Sequence, residues 1–294
     1  MRIAHLIIVH KNPEQLLRLV RKLEHPNFDL FIHIDQKVSL EHFSFLETEV
    51  NIKFIKNRVA CNWGGNSVMM SIINSVQEIL TGNVIYDYIN VISGQDYPLM
   101  STDAMLTFFK ANHGKNFISF DDTSQSEWWQ LARDRYEKYH FTDLKFRGKY
   151  LLQSIVNKLL PKRRFHFFAT LYGGSNSTWW TITSECATYL VHVLKENHKL
   201  RKFMAYTWCS DEFIVATIIM NSPFRESAVN NNLRYIDWSE QKASPKILTI
   251  KDLEKLGTSN MMFARKFDVD VDETVLDMLD LKMKGSKLDS NSKP

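Results

Sequence analysis

The sequence has little of anything that staples, repeats or anchors a chain. Its three cysteines, Cys61, Cys186 and Cys209, are widely spaced and form no CxxC pair. That excludes a zinc ribbon and a disulfide framework, and it suits a reducing compartment. Ten glycines and seven prolines in 294 residues are too few for a collagen-like or low-complexity chain. Neither sign of charge dominates: 37 Lys and Arg against 33 Asp and Glu leave +4. No basic stripe of the kind that holds nucleic acid stands out. No apolar run approaches the roughly 18–20 residues that span a bilayer. The first ten residues read as a buried strand followed by charge, not as a signal peptide. Together these absences predict a soluble, cytoplasmic protein.

Motifs are missing too. There is no GxGxxG after the first strand, no GxxxxGK[ST], no G-x-S-x-G elbow and no HExxH. Dinucleotide enzymes, phosphate-loop ATPases, α/β-hydrolases and zincins lose weight accordingly.

What is present is an ordinary globular composition, 44% hydrophobic and 12% aromatic, over a length that buries a core without staples. Residues 1–120 alternate strand and helix signals. Strands are expected at Ile3–Val9, Phe28–Ile34, Ile52–Ile55, Tyr86–Ile92 and Phe117–Phe120. Pro13–Leu23 and Asn66–Leu80 carry apolar residues at helical spacing. This alternation predicts a mainly parallel sheet with helices on both faces. Ligands of such sheets sit beyond the carboxyl ends of strands, where His10, Asp35 and Asp96 fall.

Farther on, residues 127–150 are dense in aromatic and basic side chains, and Pro161–Arg164 reads as a surface loop. Ser177–Thr183, Leu233–Trp238 and Met261–Phe267 are further strand signals. Helices are expected from Thr183 to about Leu194 and over Asp211–Met220. Residues 1–284 read as one domain, with a disordered tail over 285–294.

Several local clusters carry chemistry. In Trp208-Cys209-Ser210-Asp211-Glu212, Ser210 or Asp211 suits a helix cap and Glu212 the first turn. The same Glu212 suits a general base at a helix start. Arg265 and Lys266 alternate with apolar residues on a strand, as snorkelling cations or with one facing a site. Asp268, Asp270 and Asp272 have Asp-x-Asp metal spacing, but their place before a helix reads as a cap cluster. Trp63-Gly64-Gly65-Asn66 forms a loop into a helix N-terminus that could approach an anion. Trp128, Trp129, Trp179, Trp180, Trp208 and Trp238 suit sugar stacking or core filling.

In order and spacing, these segments resemble the branching β-1,6-N-acetylglucosaminyltransferase family, which includes the peptide O-xylosyltransferases. The resemblance runs from Ile3 to about Leu281. It is carried by Ile8–Lys11, Phe31–Lys37, Trp63 with the helix to Leu80, and Tyr88–Pro98. Ser177–Trp180, Ser210–Phe213 with Ala216–Ile218, and Phe263–Asp268 complete it.

The resemblance implies an α/β, GT-A-like fold with a Rossmann-like nucleotide-binding half (1–120) and an acceptor and catalytic half (121–284). It implies an inverting, metal-independent glycosyltransferase that uses a UDP-sugar, UDP-GlcNAc first and UDP-xylose second. Glu212 matches the catalytic base. Lys266 and, across a short gap, Lys246 match cations on the donor diphosphate, with Arg265 as the fallback. His10 and Asp35 match nucleoside contacts, and Asp96 a recurrent donor-side Asp. Trp179 matches an aromatic beside the acceptor. Asp211 is an acceptor-side candidate, and Arg133 and Arg135, with Glu127, are acceptor-side candidates without a fixed register.

No metal and no cofactor is implied: basic residues take the role a metal would otherwise have. The implied partners are the donor and a glycan acceptor, in synthesis of a surface polysaccharide. A lipid-linked acceptor would bring the enzyme to the inner face of the plasma membrane, where Lys162, Arg163 and Arg164 would meet anionic lipid. A glycoside hydrolase and a non-catalytic glycan-binding protein are the rival readings.

Overall fold

The computed structural model describes residues 1–49, 51–122 and 126–290. The first half is built from β1 (Ile3–Val9), α1 (Pro13–Lys22), β2 (Phe28–Ile34), β3 (Ile52–Phe54), α2 (Asn66–Leu80) and β4 (Tyr88–Ser93). Then come β5 (Asp96–Pro98), α3 (Thr102–Ala111), β6 (Asn116–Ile118), β7 (Asp121–Asp122), α4 (Glu127–Glu137) and α5 (Lys149–Leu159). The second half continues with β8 (Tyr172–Gly173), β9 (Thr181–Thr183), α6 (Ser184–Glu196), α7 (His198–Met204) and α8 (Ile214–Met220). It ends with β10 (Ala228–Asn230), β11 (Arg234–Ile236), α9 (Leu253–Thr258), β12 (Phe263–Arg265) and α10 (Thr274–Ser290).

Seven strands form the central sheet in the order β10-β6-β9-β4-β1-β2-β3. β3, β2, β1 and β4 are parallel, and β9 runs against β4 and β6. This mixed sheet with helices on both faces bears out the α/β class expected from the sequence. Every side chain of β1, β2 and β4 is buried. Continuous apolar strands of this kind need cover on both faces, because successive side chains point to opposite sides. Accordingly Ala4, Leu6 and Ile8 join a core under α2, α6 and α8. Ile3, Ile7 and Val9 join the other core, under α1 and α10.

Some local expectations need correction. The strands expected near 233–238 and 261–267 are β11 and β12, and with β5 they make a separate small sheet. Asp211–Met220 is not one helix: Ser210–Glu212 is a 3-10 turn, broken from α8 by Phe213 at φ −145°. Residues 285–290, expected in the tail, continue α10, and residues 291–294 lie outside the described residues. Pro161–Arg164 is not simply a surface loop. Arg163 is buried and donates to the carbonyls of Lys138, Tyr206 and Phe203.

Candidate active site

The expected nucleoside contacts lie at the strand ends. β1 and β2 pair with Val9 opposite Ile34, so His10 and Asp35 emerge together at the carboxyl edge of the sheet. The Asp35 N–H donates to Val9 O at 2.7 Å. The Asp35 carboxylate is buried and accepts the Lys37 N–H at 2.9 Å, while His10 is exposed. Asp96 is placed differently. It is wholly buried, and its Oδ2 accepts from Ser93 N and Ser93 Oγ, both at 2.6 Å. It therefore ties the turn after β4, and it faces Arg265 across the β5–β12 pair.

Arg265 is buried, with its guanidinium carbon 4.2 Å from the centre of the Trp179 ring. Its Nη1 lies 3.8 Å from Asp96 Oδ2, and its Nε and Nη1 have no hydrogen-bond partner. Buried unsatisfied donors favour an anion. Lys266, joined to Arg265 by a cis peptide, donates to Ser244 Oγ at 3.0 Å. Burial, then the charges of Arg265 and Lys11, hold its ammonium below the usual lysine range. Lys11, which the sequence reading did not single out, pairs with Asp268. Its only signal was its place directly after the strand-end His10. Lys246 stands apart: its Nζ is 2.5 Å from Asp252 Oδ1, so a carboxylate of the chain already meets its charge.

The segment leading to Glu212 is pinned from three sides. Cys209, at φ +46°, donates its N–H to Gly64 O at 2.8 Å. Ser210 Oγ donates to Asn66 Oδ1 at 2.9 Å. The N–H of Gly174 donates to Glu212 O at 2.9 Å. Asp211 Oδ2 accepts from Thr178 Oγ1 at 2.8 Å, which ties it to the residue before Trp179. Neither Ser210 nor Asp211 caps a helix with its side chain, contrary to the sequence reading; both are used for these long-range bonds within the chain.

The Glu212 carboxylate meets the Arg135 guanidinium in an ion pair. Arg135 is flanked by the rings of Trp128 and Trp208, with both centroids 4.9 Å from its Cζ. Gly64, at φ +72°, allows this approach, because a Cβ there would collide with the Trp208 indole. Burial raises the Glu212 carboxyl to about 7; Arg135 pulls it down and Asp211 pushes it up. Burial also raises Asp211. Arg133, two positions before Arg135 on α4, is exposed and outside this cluster.

Two other sequence candidates resolve as structure. The N-terminus of α2 is occupied by Asp143, which accepts from Ser67 N at 2.9 Å and Ser67 Oγ at 2.6 Å. Its anion is thus a carboxylate of the chain. Asp268 accepts from Asn12 at 2.9 Å and Asp270 N at 3.3 Å, while Asp272 accepts from Thr274 N at 2.9 Å. The last two are turn and helix-start bonds, and the first ties the residue before α1 to Asp268. Among the described residues no group of three or more His, Cys, Asp or Glu side chains is placed to hold a metal ion. Two open concavities, one lined by His192, Val193 and Glu196 and one by Asn176, Tyr235 and Lys255, include none of the clustered site residues.

Comparison with known proteins gives this cluster a context. The chain is 27% identical to xylosyltransferase 2 of Canis lupus familiaris over 97% of its own length and 34% of that protein's. It is 24% identical to a xylosyltransferase of Ciona intestinalis and 23% identical to xylosyltransferase 1 of Rattus norvegicus, again over 97% of the chain. It spans about a third of the length of these relatives. Among solved structures, a 4-diphosphocytidyl-2C-methyl-D-erythritol synthase from Anaerococcus prevotii aligns loosely. The TM-score is 0.35 at 11% identity, over 67% of this chain and 77% of that one. A family model described as Core-2/I-Branching enzyme matches residues 3–261, and the chain therefore belongs to the core-2/I-branching enzyme family of glycosyltransferases.

Proposed function

We propose that the chain moves a sugar from a UDP-sugar to a glycan hydroxyl by a single, inverting displacement that leaves a β linkage. The observation that supports this most directly is Glu212: one carboxylate, raised to about 7 and held by Arg135 one residue from the Asp211–Thr178 bond. The acceptor hydroxyl attacks the anomeric carbon opposite UDP. Glu212 takes its proton as the new bond forms. The bond to UDP breaks, and Lys266, with Arg265 beside it, meets the charge gathering on the diphosphate; Lys11 joins only if it leaves Asp268. Lys246 takes part only if it leaves Asp252. His10 and Asp35 face the nucleoside, and Trp179 with Asp211 and Arg135 lines the acceptor side. The donor is UDP-GlcNAc or UDP-xylose, the glycan belongs to a surface polysaccharide, and no metal is required.

Thermal unfolding with UDP, UDP-GlcNAc and UDP-xylose tests the donor site. A ligand bound only by the folded chain raises the midpoint. The expected rise survives EDTA, whereas a rise that vanishes with EDTA and returns with manganese contradicts the metal-free site. Glu212→Gln should lower turnover by roughly 10²–10⁴-fold while keeping the UDP shift. Wild-type turnover in that variant would overturn Glu212 as the base.

A further inference from the structure

Helix α5 turns its polar side to the protein and its apolar side to water. Gln153 Oε1 accepts from Phe141 N at 2.8 Å. Asn157 accepts from Tyr139 N and donates to Tyr139 O, both at 2.8 Å. Lys149 Nζ donates to the carbonyls of Thr142 and Leu144 at 2.6 and 3.0 Å. These inward positions recur at helical spacing, so the opposite face must point out. That face carries Leu151, Leu152, Ile155 and Leu159, which are 70%, 42%, 44% and 77% exposed. No residue of α5 is buried.

Along the sequence from just before the helix onward, the charge flanking this stripe is of one sign. From Leu144 to Ser184 the sequence has seven Lys and Arg and no Asp or Glu. Arg163 and Lys149 are spent on backbone carbonyls and Lys162 on Glu137. Lys145, Arg147, Lys158 and Arg164 remain exposed around the helix. A second copy of this chain laid on the stripe would bring like charges together. An anionic lipid surface supplies both what the leucines and what the cations lack.

We propose that α5 docks in the headgroup region of an anionic bilayer, with Leu151, Leu152, Ile155 and Leu159 inserted and the flanking cations on lipid phosphates. No helix among the described residues is long and apolar enough to cross a membrane, so the contact is in-plane. The basic loop suggested by the sequence gives way to the helix before it. Tyr139, which α5 grips, lies four residues beyond Arg135, so docking sets the Glu212 site close to the lipid surface.

Co-sedimentation of the full chain with vesicles tests this without donor or acceptor, and so independently of the transfer chemistry. Binding is expected to phosphatidylcholine vesicles containing phosphatidylglycerol, and little to phosphatidylcholine alone. Leu151→Asp with Leu159→Asp should abolish it at an unchanged unfolding midpoint. Lys145→Ala and Arg147→Ala should each weaken it roughly fivefold. Failure to bind anionic vesicles, or equal binding by wild type and the leucine variant, overturns the assignment. So does a dimer in sedimentation equilibrium that the leucine variant disrupts, since a second copy would then cover the stripe.

Discussion

Glu212 is set by opposed influences. Desolvation raises its carboxyl, Arg135 lowers it and Asp211 raises it again, with a result of about 7. As the proposed base, Glu212 works ionised, so turnover should climb with pH through about 7 and then level off. Arg135→Met removes the one strong downward influence, and the rising limb of kcat/KM should move up by about one unit or more. A limb that stays in place would separate Arg135 from the ionising group. Arg133 and Arg135 were equal candidates in the sequence, because residues 127–150 showed composition without a helical phase. The fold separates them by the face of α4 on which each lies.

At the scale of elements, the turn holding Glu212 depends on a strand far away in sequence. A Cβ on Gly173 would collide with Phe213 and come within 2.6 Å of Glu212 O. Gly173→Ala should therefore cost about 1–3 kcal/mol in urea unfolding. It should also lower turnover more than UDP binding, because the proposed base moves and the proposed donor edge at β1 and β2 does not. Asp143→Ala should cost about 1 kcal/mol by leaving the start of α2 without its acceptor, read as a lower unfolding midpoint. Helix α2 was legible in its apolar spacing. Its capping partner was not, since Asp143 is 76 residues from Ser67.

At the scale of the molecule, one buried arginine bolts the small sheet to the large one. Arg234 on β11 donates to Val91 O at 2.9 Å and Thr181 Oγ1 at 3.0 Å, and it also reaches Asn90 Oδ1. Asn90 in turn bonds His5 Nδ1 at 2.8 Å. Arg234→Ala strips acceptors on β4 and β9 of a charged donor inside the protein. The expected loss is about 3–5 kcal/mol of stability, measured by urea unfolding. The seam matters for the proposed function because β12, paired to β11, carries Arg265 to Trp179.

The sequence alone determined the parallel strands β1, β2 and β4, helix α2, and the placing of His10 and Asp35 at strand ends. Those features follow from the period of apolar residues, which is a local pattern that burial imposes on neighbours. Through the order of its segments, the sequence also pointed to the family. Tertiary structure alone decided that Arg135 reaches Glu212 across 77 residues, that Lys246 is met by Asp252, and that Arg265 lies against Trp179. It also decided that α5 shows its leucines to solvent. Ion pairing and desolvation act through space over a few ångströms, and only the folded chain sets which charges come that close.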